Sequence, residues 1–198
     1  MSAWYFVRHC ESEANRRRVM AGQLDSRLSW RGTLQCVGLT SLALRLKADR
    51  VICSDLQRAK ITAKFIRFGS RCDFVVTHQL RERCAGLLGG LSLEALRENA
   101  VLDDLGTWCF RPSGGESRSD VASRALEWLR TVPDRETTIM VSHQVVISAL
   151  VGLLDGRHPG DLIHTGLRNG EYFRREIPPD TWKQLYNGLV AGVANDAI

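Results

Sequence analysis

Apolar positions along the chain alternate between two spacings. Short runs that are mostly apolar or β-branched fall at Trp4 to Arg8, Arg50 to Cys53, Asp73 to Thr77 and Thr138 to Ser142. Runs of this length and composition predict buried strands. Between them, Arg31 to Leu46, Gln57 to Phe68 and Glu116 to Leu129 carry apolar residues at helical spacing, and Leu93 to Leu105 does so more weakly. Val145 to Leu154 predicts a short buried helix, and Glu171 to Ile177 a further strand at a sheet edge. Pro178 and Pro179 close that strand before a last amphipathic segment, Trp182 to Val190.

Strands alternating with helices predict an α/β fold, a mostly parallel central sheet covered on both faces in a three-layer α/β/α arrangement, with one antiparallel edge strand. No internal repeat, low-complexity tract or long linker interrupts the pattern, so residues 1–198 are expected to form one domain. Ligands of such open sheets bind beyond the carboxyl ends of the strands. That rule brings Arg8 and His9, the segment Ser54 to Arg58, His143 and, after a short loop, Glu82 to one edge.

Composition narrows the class without choosing a function. At 44% hydrophobic and 25% charged residues the chain reads as a globular protein with a full core. No apolar run is long enough to span a bilayer, and the start Met1-Ser2-Ala3-Trp4 lacks an export leader, which leads us to expect a cytoplasmic protein without membrane partners. Six cysteines lie scattered without Cys-x-x-Cys spacing, which speaks against a zinc site or a disulfide framework and for reduced thiols in core gaps. The net charge of +5 suits anionic ligands. The run Arg16-Arg17-Arg18 has no interleaved aromatics to stack bases, so nucleic acid is not expected as a partner. Self-association is left open.

The residues that carry chemistry come in ordered blocks: Val7-Arg8-His9-Cys10-Glu11-Ser12-Glu13-Ala14-Asn15, Ala21-Gly22-Gln23-Leu24-Asp25, Leu28-Ser29-Trp30-Arg31-Gly32, Ser54-Asp55-Leu56-Gln57-Arg58-Ala59, Leu80-Arg81-Glu82-Arg83, Pro112-Ser113-Gly114-Gly115-Glu116-Ser117 and Val141-Ser142-His143-Gln144. In this order and at these separations the chain resembles the phosphatase branch of the histidine phosphatase superfamily, the phosphoglycerate mutase-like family, over roughly residues 3–175. The resemblance implies hydrolysis of a small-molecule phosphate monoester through a phosphohistidine on His9, with neither metal nor cofactor. It implies that Arg8, Arg58 and His143 surround the phosphoryl oxygens, with Asn15 a neutral donor and Gly22 and Gln144 further substrate contacts. Glu82 would be the general acid and then the general base. These residue types suit phosphoryl transfer, because fixed cations stabilise the equatorial oxygens of the group in flight and arginine presents a planar fork to phosphate.

Blander readings stand beside these. Glu82, flanked by Arg81 and Arg83, could belong to a solvated charge cluster, and Arg58 could pair with Asp55 at the surface. His78, His158 and His164 read as surface or structural histidines. Gly114-Gly115 fits either a plain loop or an anion-facing turn. Two positions depart from the family's usual glycines, Cys10 after the first histidine and Gln144 after the second. Cys10 is expected to narrow the pocket and to be open to oxidation, and Gln144 to offer its backbone N–H as glycine would. The stretch Gly89 to Arg111 is short where glycolytic mutases carry a long insertion; a small cap admits water and favours hydrolysis over mutase-type return of the phosphoryl group. A catalytically weak phosphate-binding module is the other alternative. Met20, Leu87, Leu88, Trp108 and Phe110, together with arginines and Arg168-Asn169, point to a small metabolite with an apolar part.

Overall fold

In the computed structural model, residues 1–135, 137–157 and 166–195 are described, without the side chains of 41–44 and 192–195; His158 and His164 lie outside them. The strands are β1 (Ser2–Arg8), β2 (Arg50–Ser54), β3 (Asp73–Thr77), β4 (Thr137–Ser142) and β5 (Tyr172–Ile177). The helices are α1 (Glu13–Arg16), α2 (Trp30–Leu46), α3 (Gln57–Arg67), α4 (Leu93–Glu98), α5 (Val101–Gly106), α6 (Arg118–Leu129), α7 (Gln144–Leu154) and α8 (Thr181–Asn195).

The five strands form one sheet in the order β3-β2-β4-β1-β5. β1, β2, β3 and β4 run parallel, while β5 pairs antiparallel with β1 at the edge, as expected. Side chains alternate across β1 and supply two cores. Trp4 and Phe6 join Ile52 and Met140 in a cluster with Val121, Leu126 and Leu129 of α6, Ile147 and Leu150 of α7, and Trp182 of α8. Val7 turns the other way, with Val51, Cys53, Ile139 and Val141, toward Cys36 and Leu39 of α2 and Ala59, Ala63 and Ile66 of α3. Helices therefore cover both faces, which is the three-layer arrangement.

The capping chemistry explains where the helices begin. Ser29 accepts from the Gly32 amide at the start of α2, and Ser117 forms a reciprocal box with Asp120 at the start of α6. Ser12 and Asn15 form the same kind of box around α1, a helix too short to leave a periodic signal.

Two expectations fail. Asp73 to Thr77 is a strand, but an edge strand with Val75 and Val76 exposed and not a buried one. A short apolar run does not say whether a neighbour lies on each side. The single helix expected over Leu93 to Leu105 is two, α4 and α5, broken at Ala100 with φ 55°. That left-handed conformation ends the α4 hydrogen-bond ladder.

Candidate active site

Four strand ends and their following loops meet where the sequence analysis placed the ligand. Arg8 is the last residue of β1 and His9 follows it, with its backbone N–H donating to Ser142 O of β4 at 3.0 Å. His143 follows β4 and opens α7. The two rings face each other with centroids 5.0 Å apart at 59°. Both are buried, His9 at 4% and His143 at 0% exposure.

His9 Nδ1 lies 2.7 Å from Cys10 O, a distance at which it must donate. This assigns the tautomer: Nδ1 keeps the proton and Nε2 carries the lone pair. Burial, then the positive charge of Arg58 and more weakly of Arg8, pull the His9 pKa down to about 3 against the opposing effect of the Cys10 bond. The ring is thus neutral at physiological pH. His143 is held well below the ordinary histidine value by burial first and then by His9, Arg58, Arg124 and Arg8. Neither ring nitrogen of His143 has a hydrogen-bond partner among the described residues, and neither does the buried Nε of Arg8. Buried polar atoms rarely stay without partners, and orphans on a neutral imidazole within the field of Arg8 and Arg58 suit an anion.

Arg58 lies near the start of α3 and is 2% exposed. Its Nη2 donates to Gly22 O at 2.7 Å and its Nη1 to Leu24 O at 3.0 Å. It does not pair with Asp55, whose carboxylate is taken by Arg81 at 2.6 Å. Gly22 adopts φ +52°, and a Cβ there would lie 2.9 Å from Ala85 Cβ. Glycine therefore lets the chain that holds Arg58 pass tightly against the segment that carries Glu82. Arg8 donates from Nη1 to Leu167 O at 2.8 Å.

Glu82 follows a 3-10 turn, His78–Leu80, after β3. Its carboxylate accepts from Arg83 N at 2.8 Å and, more weakly, from Val145 N at the start of α7 at 3.3 Å. Burial lowers the pKa of both Arg8 and Arg58, and the Glu82 charge opposes that effect at each. The surface-cluster reading fails because its neighbours point elsewhere: Arg83 is buried and donates to Leu105 O at 3.0 Å, and Arg81 holds Asp55.

Asn15 Oδ1 accepts from Ser12 N and from Asn169 Nδ2, so its own Nδ2 is the end left to donate. Gln144 turns its side chain along α7, where Nε2 donates to Ser148 Oγ at 3.2 Å. Cys10 neither narrows the pocket nor meets oxidants. It is fully buried in the α2/α3 core, and its hydrogen bond with Cys36, followed by burial, pushes its thiol pKa far up. The Gly114-Gly115 turn is a packing turn, where a Cβ on Gly115 would meet Cys84 O at 2.6 Å, and Ser117 is spent on capping α6.

Sequence reasoning missed two residues that assemble the site, Thr62 and Arg124, and gave a third, Asn169, a different role. Thr62 Oγ1 accepts from Cys10 N at 3.0 Å and donates to Arg58 O at 2.7 Å, tying the His9 loop to α3. Asn169, considered only as a leaving-group contact, donates to His9 O at 3.0 Å. Arg124 binds the Glu82 segment. Thr62 lies four residues after Arg58 on α3, a spacing that could have flagged it; Arg124 gave no such signal. Among the described residues no three His, Cys, Asp or Glu side chains cluster in a way that could hold a metal ion, and no helix is long and apolar enough to cross a membrane.

A buried pair of imidazoles at the ends of parallel strands, with Arg8 and Arg58 beside them, is an arrangement suited to a phosphoryl group on an α/β fold. The family model described as histidine phosphatase superfamily (branch 1) matches residues 4–187, and the chain belongs to that superfamily. It is 30% identical to the "Probable phosphoglycerate mutase GpmB" of Escherichia coli, over 97% of this chain and 92% of that one. Among solved structures it resembles mycobacterial glucosyl-3-phosphoglycerate phosphatase in complex with VO3 (26% identity, TM-score 0.79, 88% of this chain and 92% of that chain). In fold it also matches Bacillus stearothermophilus YhfR, with 24% identity, a TM-score of 0.81 and coverage of 90% and 93%.

Proposed function

We propose that this enzyme is a metal-independent phosphomonoesterase that hydrolyses a small phosphorylated metabolite through a phosphohistidine on His9. The observation that carries the reading is the state of the two histidines: His9 is neutral with Nδ1 committed to Cys10 O, and His143 is buried with both ring nitrogens unsatisfied among the described residues. In the first step His9 Nε2 attacks phosphorus and the bond to the leaving oxygen breaks, while Glu82 delivers a proton to that oxygen. The bond to Cys10 O then stabilises the cationic ring that phosphorylation creates. Arg8, Arg58 and His143, with Asn15 beside them, receive the equatorial oxygens. In the second step the Glu82 carboxylate takes a proton from water as that water attacks phosphorus, which frees phosphate and returns His9 to neutrality.

The solved mycobacterial relative is by name a phosphatase, and the stretch Gly89 to Arg111 holds the short helices α4 and α5; a small cap favours hydrolysis because it would admit water to the phosphoenzyme. One observation favours a second reading, mutase-type return of the phosphoryl group: the Escherichia coli relative is named a probable phosphoglycerate mutase.

Release of phosphate from 4-nitrophenyl phosphate is expected to persist in EDTA. Acid quenching of a phosphate ester during turnover should trap an acid-labile, base-stable phosphoenzyme in the wild type and none in His9→Ala. Loss of activity on chelation would end the metal-independent reading, and isomerisation of phosphoglycerate that depends on a bisphosphate primer would favour the mutase. A library of phosphorylated metabolites then reads the substrate class.

A further inference from the structure

Arg124, on α6, commits all of its guanidinium nitrogens to one loop and one carboxylate. Nη1 donates to Gln79 O at 2.6 Å, and Nη2 donates to Arg81 O at 2.8 Å and Glu82 O at 3.1 Å. Nε and Nη2 also grip the two oxygens of Glu116 at 2.8 and 3.0 Å. Glu116 in turn accepts from Cys84 N at 2.8 Å and from Gln23 Nε2 at 3.2 Å, and Gln23 donates to Glu82 O at 3.1 Å. The backbone is thereby held on both sides of Glu82, from Gln79 to Cys84. Residues 81–85 themselves have no helix or strand to fix them.

A carboxyl group on such a loop has little intrinsic reason to stay in one place, because the loop lacks a ladder of its own. Proton transfer demands it: donor and acceptor must approach within about 3 Å, and a misplacement of about 1 Å can cost two orders of magnitude. The Arg124 and Glu116 side chains are 17% and 22% exposed, so their ion pair is shielded well enough to act as a fixed part. Only arginine can fill the place, since its planar fork reaches several acceptors where an ammonium is a single point.

We infer that Arg124, locked by Glu116, is a positioning residue that holds the Glu82 carboxyl against the leaving oxygen, so that proton transfer depends on α6 while phosphoryl capture by His9 does not. The inference rests on the reading of Glu82 as the general acid and base. Arg124 touches no reacting atom; its effect passes through the Glu82 backbone.

The test uses the full chain with Arg124→Lys, Glu116→Gln and Glu82→Gln, and two probes. β-Glycerophosphate has a poor leaving group that needs a proton; 4-nitrophenyl phosphate has a good one that does not. Arg124→Lys should lower kcat on β-glycerophosphate by about 10- to 100-fold with little change in KM. With 4-nitrophenyl phosphate it should keep a rapid burst of about one nitrophenolate per site, followed by slowed steady-state release as water activation suffers. Glu82→Gln should show the same selectivity more strongly. Equal losses on both probes, burst included, or no loss at all in Arg124→Lys would overturn the inference while Glu82→Gln stays selective. If Glu82→Gln itself shows no leaving-group dependence, the reading of Glu82 fails first and takes the clamp with it. Should circular dichroism show Arg124→Lys unfolded, Glu116→Gln decides by the same criterion: a selective loss supports the clamp, and a uniform one overturns it.

Discussion

His9 and His143 stand directly beyond neighbouring strands whose backbones are locked in register from Ala3 opposite Thr137 to Arg8 opposite Ser142, whereas Glu82 stands on irregular chain tied down by side chains from another helix. In the first region a hydrogen-bonded ladder does the positioning, and His9, Ser142 and His143 at its end are buried. In the second, an ion pair and a set of side-chain-to-carbonyl bonds do it. A ladder is distributed over many residues and survives single substitutions, while a clamp fails when one residue is lost. The sheet-end half should therefore govern whether phosphate is bound and transferred at all, and the loop half should govern which leaving groups are handled well.

The largest expected effect falls on the sheet half. His9→Ala should lower turnover by about 10⁴-fold or more on every ester, judged by steady-state kinetics, because removing a nucleophile leaves only the binding contribution. Full activity in that variant would undo the assignment. Arg58→Ala comes next. It should cost about 10²- to 10³-fold in kcat/KM, with equal loss for β-glycerophosphate and 4-nitrophenyl phosphate, since it removes charge stabilisation and not the proton. A loss confined to poor leaving groups would erase the distinction between the halves.

Thr62→Val probes one of the side-chain props within the sheet half, Asn169 being another. The valine leaves Cys10 N buried without its acceptor, so unfolding in urea should show a loss of about 1–3 kcal/mol, and any activity loss should be indifferent to leaving group. An unchanged midpoint would mean that the ladder and Asn169 hold the His9 loop without Thr62.

The most diagnostic effect is on pH. His9 titrates near 3 in the fold, and His143 also lies well below the ordinary value near 6.5. On acidification the unfolded chain takes up these protons first. The contribution of each ring to stability is therefore complete above about 6.5 and drains away toward the folded value, with a slope of about 1.4 kcal/mol per pH unit for each ring. Urea midpoints measured between pH 7 and 5 should fall more steeply for the wild type than for His9→Gln. Parallel curves would show that the ring is not held neutral by its surroundings.

The sheet half was almost wholly legible in the residues. Apolar runs revealed β1, β2 and β4, and the rule that ligands gather at strand ends brought His9, His143 and Arg58 together on the sequence alone. The loop half was legible only in part. The strand-end rule and the motif both pointed to Glu82, yet Arg124 escaped notice because three of its partners are backbone carbonyls, which every residue owns and no sequence displays. For the same reason Arg81 and not Arg58 proved to be the partner of Asp55. Cys10 was misjudged because two residues past a strand the direction of a side chain depends on the turn taken; here the chain turns it inward, toward Cys36.

By itself the sequence determined the alternation of strand and helix, the end of the sheet where chemistry gathers, and the residue types able to handle a phosphoryl group, because periodicity and side-chain chemistry are local properties. Only the tertiary structure decided that β3 is an edge, that α4 and α5 part at Ala100, that His9 keeps its proton on Nδ1, and that α6 reaches across to hold the Glu82 loop. Each of these depends on what lies opposite a residue in space, and that is settled only when distant segments pack and every buried donor must find its acceptor.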